Sequence, residues 1–267
     1  MGNIDKNFVK KSFNTSAKTY DQHAGLQKET IGELLDLLDP DNFSVARTLD
    51  IGAGTGNLTS GLIKKFPNAK THGCDLASLM LIQAQKKTGG KAFFSAADAE
   101  FLPYKDNSFE LVVSSFTFQW LNNWERVINE IKRVLKPGGA FTFSFFGKKT
   151  FYELRQSYFK ACMETGYSGG EALELSVTEE KVKTEIIQSG LPSPRTRTYC
   201  VIKEYQTVND LLKAIRGMGA KNASSNRNRT LGVRKVWKKM TEIYEQDFGE
   251  QGSIPVTFEI IAGSTVK

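Results

Sequence analysis

Three acidic residues set behind apolar runs, the first followed at once by a run of three alternating glycines, are where this sequence carries its chemistry. The stretch LDIGAGTG, Leu49 to Gly56, places Gly52, Gly54 and Gly56 directly after an apolar run of Val45, Leu49 and Ile51. A helix-like stretch, Asn57 to Phe66, follows. Strand, tight glycine turn and helix in that order open a nucleotide-binding α/β domain. Glycine suits the turn because the backbone needs positive φ and a close approach to the ligand. Asp50 comes at the end of the strand, where open sheets bind ligands. Asp75 lies 19 residues beyond Gly56. An acidic side chain at that place holds a ribose diol, and it is equally placed to cap the helix that starts at Leu76; the two roles are compatible. A third short strand, Ala92 to Ser95, delivers Asp98, Ala99 and Glu100, and a carboxylate there can read the amino edge of an adenine.

The elements that must position these groups follow from periodicity. Asn3 to Phe13 and Gln27 to Leu38 read as helices, the second from Ile31, Leu34, Leu35 and Leu38. Two helical pieces therefore precede the first strand and can fold over its ligand site, with Tyr20 and His23 between them. Leu58, Leu62, Ile63 and Phe66 mark an apolar helix face, broken by Pro67-Asn68. Ala69 to Cys74 is the second strand and Leu76 to Lys87 a helix. Glu110 to Ser114 is nearly all apolar, as a central parallel strand is. It ends in SSFTFQW, which brings Phe116, Phe118, Gln119 and Trp120 to the carboxyl edge. The helix Asn123 to Val134 follows, then LKPGG as a turn into a strand at Ala140 to Phe146. Later elements are helices at Phe151 to Thr165, Thr178 to Ser189, Leu211 to Met218 and Arg227 to Gln246, with strands at Arg195 to Ile202 and Val256 to Ala262.

Composition bounds the rest. At 267 residues with 40% hydrophobic content, the chain suits one large domain, or a domain with a smaller cap. No apolar run has the length needed to cross a bilayer, and MGNIDKNFVKKSF lacks the long apolar segment of a secretory signal. Cys74, Cys162 and Cys200 are far apart and odd in number, which argues against a disulfide scaffold or a metal site and for a reducing cytoplasm. The formal charge of +7 permits an acidic partner, whether nucleic acid, anionic membrane or protein, without choosing among them.

Taken together, LDIGAGTG, Asp75, DAEFLP from Asp98 to Pro103, the strand at Leu111 to Ser114 and LKPGG at Leu135 to Gly139 resemble the class I S-adenosylmethionine-dependent methyltransferases. Outside that shared core, SAKTYDQHAGLQ (Ser16 to Gln27), FTFQWLNN (Phe116 to Asn123) and LLKAIRGMGAKN (Leu211 to Asn222) are similar to the malonyl-acyl-carrier-protein methyltransferases of biotin synthesis. The likeness spans nearly the whole chain and is weaker from Gly166 to Pro194. Phe118, often Leu in that family, and TFYEL at Thr150 to Leu154 are mild departures.

The resemblance implies an α/β, Rossmann-like domain with a seven-stranded, mostly parallel sheet and helical insertions forming a cap. Its layout is a helical segment over 1–40, a cofactor-binding core over 41–147, insertions at about 150–176 and 204–250, and terminal strands at about 195–202 and 254–262. It implies methylation of the free carboxylate of malonyl-acyl-carrier protein, with S-adenosylmethionine giving S-adenosylhomocysteine. The expected cofactor contacts are Asp50, Gly52, Gly54 and Gly56 around the methionine moiety, Asp75 on ribose, Leu76 and Met80 against adenine, Asp98 and Ala99 at its edge, and Ser114 or Ser115 near the sulfur. Tyr20, His23, Phe116, Gln119 and Trp120 are the acceptor-side candidates; packing or capping is the competing role for Tyr20, His23 and Trp120. Lys213, Arg216, Lys221, Arg227, Arg229, Arg234 and Lys235 are candidate contacts for an acidic carrier, with ordinary solvated charge as the alternative. No metal, nucleic acid or membrane is expected, and a monomer is favoured. The alternatives are a methyltransferase acting on RNA or another small molecule, disfavoured for RNA by SSFTFQ where an NPPY-like segment would stand, and a non-catalytic carrier-binding protein.

Overall fold

Seven strands form one sheet in the order β3-β2-β1-β4-β5-β7-β6 in the computed structural model, which describes residues 4–38, 44–167, 177–217 and 232–267. The strands are β1 (Arg47–Ile51), β2 (Lys70–Asp75), β3 (Ala92–Ala96), β4 (Phe109–Ser115), β5 (Leu135–Phe146), β6 (Arg195–Tyr205) and β7 (Ile254–Val266). The first five run parallel; β7 runs antiparallel to both β5 and β6. The expected seven-stranded, mostly parallel architecture is therefore the one observed. The strand order reverses around β1 and β4, which puts the carboxyl ends of those two strands at the switch point where open sheets bind ligands.

Helices α1 (Lys6–Ser16), α2 (Tyr20–His23) and α3 (Gly25–Asp36) precede β1, and α4 (Asn57–Lys65), α5 (Ser78–Lys87) and α6 (Trp124–Val134) join the parallel strands. Helix α6 shows why such a crossover forms. Trp124, Val127, Ile128, Ile131 and Val134 recur at helical spacing, all are buried, and Asn123 caps the first turn by accepting from the Arg126 amide at 2.9 Å. That stripe packs on Phe141, Phe143 and Phe145 of β5. On the opposite side, Leu34, Leu58 and Leu62 from α3 and α4 cover Leu111, Val113 and Ala140.

The remaining helices, α7 (Tyr152–Thr165), α8 (Glu179–Gln188), α9 (Val208–Gly217) and α10 (Gly232–Phe248), belong to the second half of the chain. Met240, Ile243 and Tyr244 of α10 and Leu211 and Ile215 of α9 join Leu154 and Ala161 of α7 in one cluster with Phe258 and Ile260 of β7. LKPGG departs from the expected turn. It belongs to β5, where Phe109 pairs with Leu135 and Leu111 with Ala140, so the intervening residues bulge from the ladder. Gly138 takes φ +76° there, and its amide donates to Lys267 O at 2.8 Å. The C-terminal strand thus runs past the expected Ala262 because it pairs with β5 as far as Ala140.

Candidate active site

The glycine turn after β1 is built by backbone geometry. Gly52, Gly54 and Gly56 all have positive φ, at 76°, 53° and 82°, values a side chain strains to adopt. The amides of Gly52 and Ala53 both donate to Cys74 O, at 2.8 and 2.9 Å, which fixes the turn to the end of β2. A Cβ at Gly56 would lie 2.9 Å from that of Ala84, so α4 and α5 approach closely only because this residue is glycine. Asp75 completes the frame: Oδ2 accepts from the Gly54 amide at 2.9 Å and Oδ1 from the Ala77 amide at 2.8 Å. Burial raises its pKa, opposed by the amides of Ala77, Gly54 and Leu76. Each oxygen still has a lone pair to offer a ligand. Asp50 is different. It is 1% exposed and bonded through Oδ2 to the Thr59 hydroxyl at 2.6 Å. Burial pushes its carboxyl up to about 7, reinforced by the charge of Asp75 and opposed by Thr59.

Helices α1 and α2 lie across this edge, held by polar contacts far apart in sequence. Lys6 Nζ reaches Asp98 Oδ2 at 2.6 Å and Glu100 Oε1 at 2.7 Å. Asn14 Oδ1 accepts from the Leu79 amide at 2.8 Å, capping the first turn of α5 from another helix. Asp21 accepts from Thr55 Oγ1 at 2.6 Å and Asn57 Nδ2 at 3.0 Å, and from Lys87 Nζ at 2.6 Å. Partial burial works against the charged form of Asp21, but Lys87, Thr55 and Asn57 outweigh it and hold the carboxyl below its ordinary value. Ala17 packs with Ala77 and Met80, and Phe13 and Tyr20 lie against this small cluster.

The exit of β4 forms the other wall. Phe116 is a non-glycine residue at φ +51°, a conformation costing roughly 1–2 kcal/mol. It is held by its amide on Ser144 O at 2.9 Å and by its ring, stacked on Phe146 at 4.1 Å. A 3-10 turn, Phe118–Trp120, follows. Phe118 is wholly buried against Trp124 and Phe145. Gln119 Nε2 donates to Phe116 O at 2.6 Å, while its Oε1 is buried without a partner. Trp120 is half-buried and meets Phe13 edge-on at 5.4 Å.

Residues 49–143, which carry this frame, match the family model described as "Methyltransferase domain". Over 262 residues the chain is 35% identical to the malonyl-acyl-carrier-protein O-methyltransferase of Geobacter sulfurreducens, covering 97% of this chain and 98% of that protein. The chain belongs to the malonyl-acyl-carrier-protein O-methyltransferase family. The family member of Methylococcus capsulatus is 32% identical, with 98% of this chain and 94% of that protein covered. Among solved structures, the YcgJ protein of Bacillus subtilis shares the fold with a TM-score of 0.61 at 16% identity, covering 90% of this chain and 98% of that one. A Haemonchus contortus phosphoethanolamine N-methyltransferase in complex with S-adenosyl-L-methionine does so with a TM-score of 0.56 at 16% identity, over 95% of this chain and 57% of that one.

Within this methyltransferase the residues expected from sequence are not all brought to one place. Gly52, Gly54, Gly56, Asp75, Leu76, Met80, Asp98 and Ala99 sit along the carboxyl ends of β1, β2 and β3 or in the segments leaving them. Tyr20 bridges two clusters, one with Ala77 and Met80, the other with Phe116 and the insertion helices. Ser115 shares a hydrogen bond with Ser144 at 2.8 Å at the ends of β4 and β5. Ser114 does not face the cleft in the same way: it is wholly buried and donates to Ile51 O at 3.0 Å, tying β4 to β1. His23 packs against α9, where a Cβ at Gly217 would strike its ring. Of the cations, Lys213, Arg216, Arg234 and Lys235 are exposed, with Lys213 paired to Asp210 at 3.0 Å; Lys221, Arg227 and Arg229 lie outside the described residues. The sequence reading missed Lys6, Asp21 and Thr117.

Proposed function

We propose that the chain transfers the methyl group of S-adenosylmethionine to the free carboxylate of malonyl-acyl-carrier protein. The observation that carries this reading is the 35% identity to the Geobacter sulfurreducens enzyme over 97% of this chain, well beyond the glycine turn and its sheet. The donor set fits the cofactor. Gly54, at φ +53°, leaves open space where a side chain would stand, its nearest neighbour being Gly52 O at 3.9 Å. Asp75 offers two carboxylate oxygens for a ribose diol and half-buried Leu76 an apolar contact for adenine; Met80 lies beneath, buried against Ala17 and Ala77. Asp98 and Ala99 meet the adenine edge. The cofactor supplies a methyl group on a sulfonium, and sulfur keeps the bonding electrons as a carboxylate oxygen takes the methyl carbon.

A carboxylate with a pKa near 4 is already anionic at neutral pH, so the chain has no proton to remove. Its task is alignment of the reacting atoms at about 3 Å. Ser115, Gln119, Trp120 and Tyr20 form an acceptor wall of hydrogen-bonding and aromatic groups. This suits a reaction in which charge disappears, because a strong cationic clamp on the carboxylate would stabilise the ground state. The product ester is neutral and enters apolar sites that reject a carboxylate. The exposed Lys213, Arg216, Arg234 and Lys235 supply a surface for an acidic carrier.

The test offers purified protein and labelled methyl donor to malonyl-carrier protein, succinyl-carrier protein and RNA. Base-labile label on malonyl-carrier protein is expected, with a rate that falls more steeply with added salt than the rate on a carrier-free malonyl thioester. Label transferred to RNA alone would overturn the acceptor assignment.

A further inference from the structure

We infer that Thr117 is the positioning residue that fixes the acceptor wall against the cofactor cradle. Thr117 belongs to no strand or helix and lies between two anchored residues. On one side Phe116 is pinned to β5 by its amide and its ring; on the other Phe118 is locked in the core. The threonine between them turns toward β1. Its hydroxyl donates to Ile51 O at 3.1 Å, with Ser115 O at 3.3 Å as a second acceptor. Its side chain also fills the space that a Cβ at Gly52 would need. The left-handed glycine that opens the cofactor turn and the threonine that opens the acceptor turn therefore interlock.

The consequence runs in both directions. Gln119 and Trp120 follow Thr117 within one 3-10 turn, so their distance from the glycine turn is set by this contact. Gln119 is further tied to the same unit by its bond to Phe116 O. A methyl transfer that depends on a gap of about 3 Å between reacting atoms loses on the order of a hundredfold when that gap drifts by an ångström. Cofactor affinity rests on Asp75 and Gly54, whose bond does not pass through Thr117. Thr117 thus governs rate more than cofactor binding. This rests on the proposed methyl transfer to a carboxylate.

The experiment compares Thr117→Val, which keeps the shape and removes the donor, with Thr117→Ser, which keeps the donor. In single turnovers with malonyl-carrier protein, Thr117→Val is expected to be 10- to 100-fold slower, with S-adenosylhomocysteine affinity by calorimetry within threefold of the parent. Thr117→Ser is expected to restore the rate to within threefold. A Val variant at parental rate, or one whose rate and affinity fall by the same factor, would overturn the inference. Hydrogen exchange tests the link without an acceptor. S-adenosylhomocysteine should protect the amides of residues 52–55 and 118–121 together in the parent, and 52–55 alone in Thr117→Val. Equal protection of both segments in the variant counts against Thr117. A parent that binds the product yet leaves malonyl-carrier protein unmethylated counts instead against the acceptor, and the exchange experiment then decides Thr117 by itself.

Discussion

The cofactor edge and the insertion half of this molecule are built on different principles. At the edge of β1 and β2, backbone groups define the site: three left-handed glycines, two amides on Cys74 O and two amides on the Asp75 carboxylate. Around α7, α9 and α10 the structure is defined by side-chain packing, with Phe258, Ile260, Met240 and Tyr244 buried in one cluster. In the backbone frame the three left-handed positions favour glycine, whereas the amides on Cys74 O and Asp75 come from backbone that any residue but proline supplies. A packed cluster tolerates substitutions that conserve volume.

The difference can be broken from either side, starting with stability. Phe258 is 2% exposed and meets Phe151 edge-on at 5.2 Å. Phe258→Ala should cost about 3–5 kcal/mol in denaturant unfolding and leave the S-adenosylhomocysteine affinity of the folded protein within threefold. Affinity that fell with stability would mean that the halves are not separable. The converse variant is Asp75→Asn. It removes charge-assisted bonds to backbone and ligand, worth about 2–3 kcal/mol, or roughly 30- to 150-fold in affinity. Calorimetry that found less than a threefold loss would remove Asp75 from the ribose role.

A third variant sharpens the picture beneath the turn. Asp50 has a folded-state pKa of about 7, above its unfolded value near 4. The folded protein therefore binds more protons than the unfolded chain between those values, and its stability falls as pH rises through that window. Asp50→Asn has no such group, so the parent should lose on the order of 2–3 kcal/mol relative to the variant between pH 5 and pH 8. Parallel unfolding curves across that range would contradict it. The smallest effect belongs to the N-terminal contacts. Lys6→Met with Asp21→Asn removes the partly exposed ion pairs Lys6–Asp98, Lys6–Glu100 and Asp21–Lys87, worth about 1 kcal/mol together. It should weaken S-adenosylhomocysteine binding a few-fold, with the parent approaching the variant at high salt.

These regions also differ in how much the sequence disclosed. LDIGAGTG and Asp75 were legible because the chemistry is local, a strand, a turn and a fixed interval. The strands and helices around them followed from the periodicity of apolar residues, and the structure shifts most of their ends by one to three residues. Ser114 illustrates where the pattern stops. Adjacent strand residues point to opposite faces, and sequence did not tell which of Ser114 and Ser115 was spent on Ile51. LKPGG carries turn residues yet forms a bulge, because β7 pairs alongside and accommodates it. Lys6, Asp21 and Thr117 were missed for one physical reason: their partners Asp98, Thr55 and Ile51 lie 92, 34 and 66 residues away. No periodicity records a contact made by tertiary folding.

Lys6 and Lys267 lie at opposite rims of the sheet. Lys267 is stitched to the start of β5, its amide donating to Gly139 O at 2.8 Å and its ammonium to Leu135 O at 2.6 Å, whereas Lys6 reaches Asp98 just after the carboxyl end of β3. A fluorophore or affinity handle joined ahead of Lys6 will therefore perturb and report ligand occupancy, and the same handle joined behind Lys267 will stay silent to it.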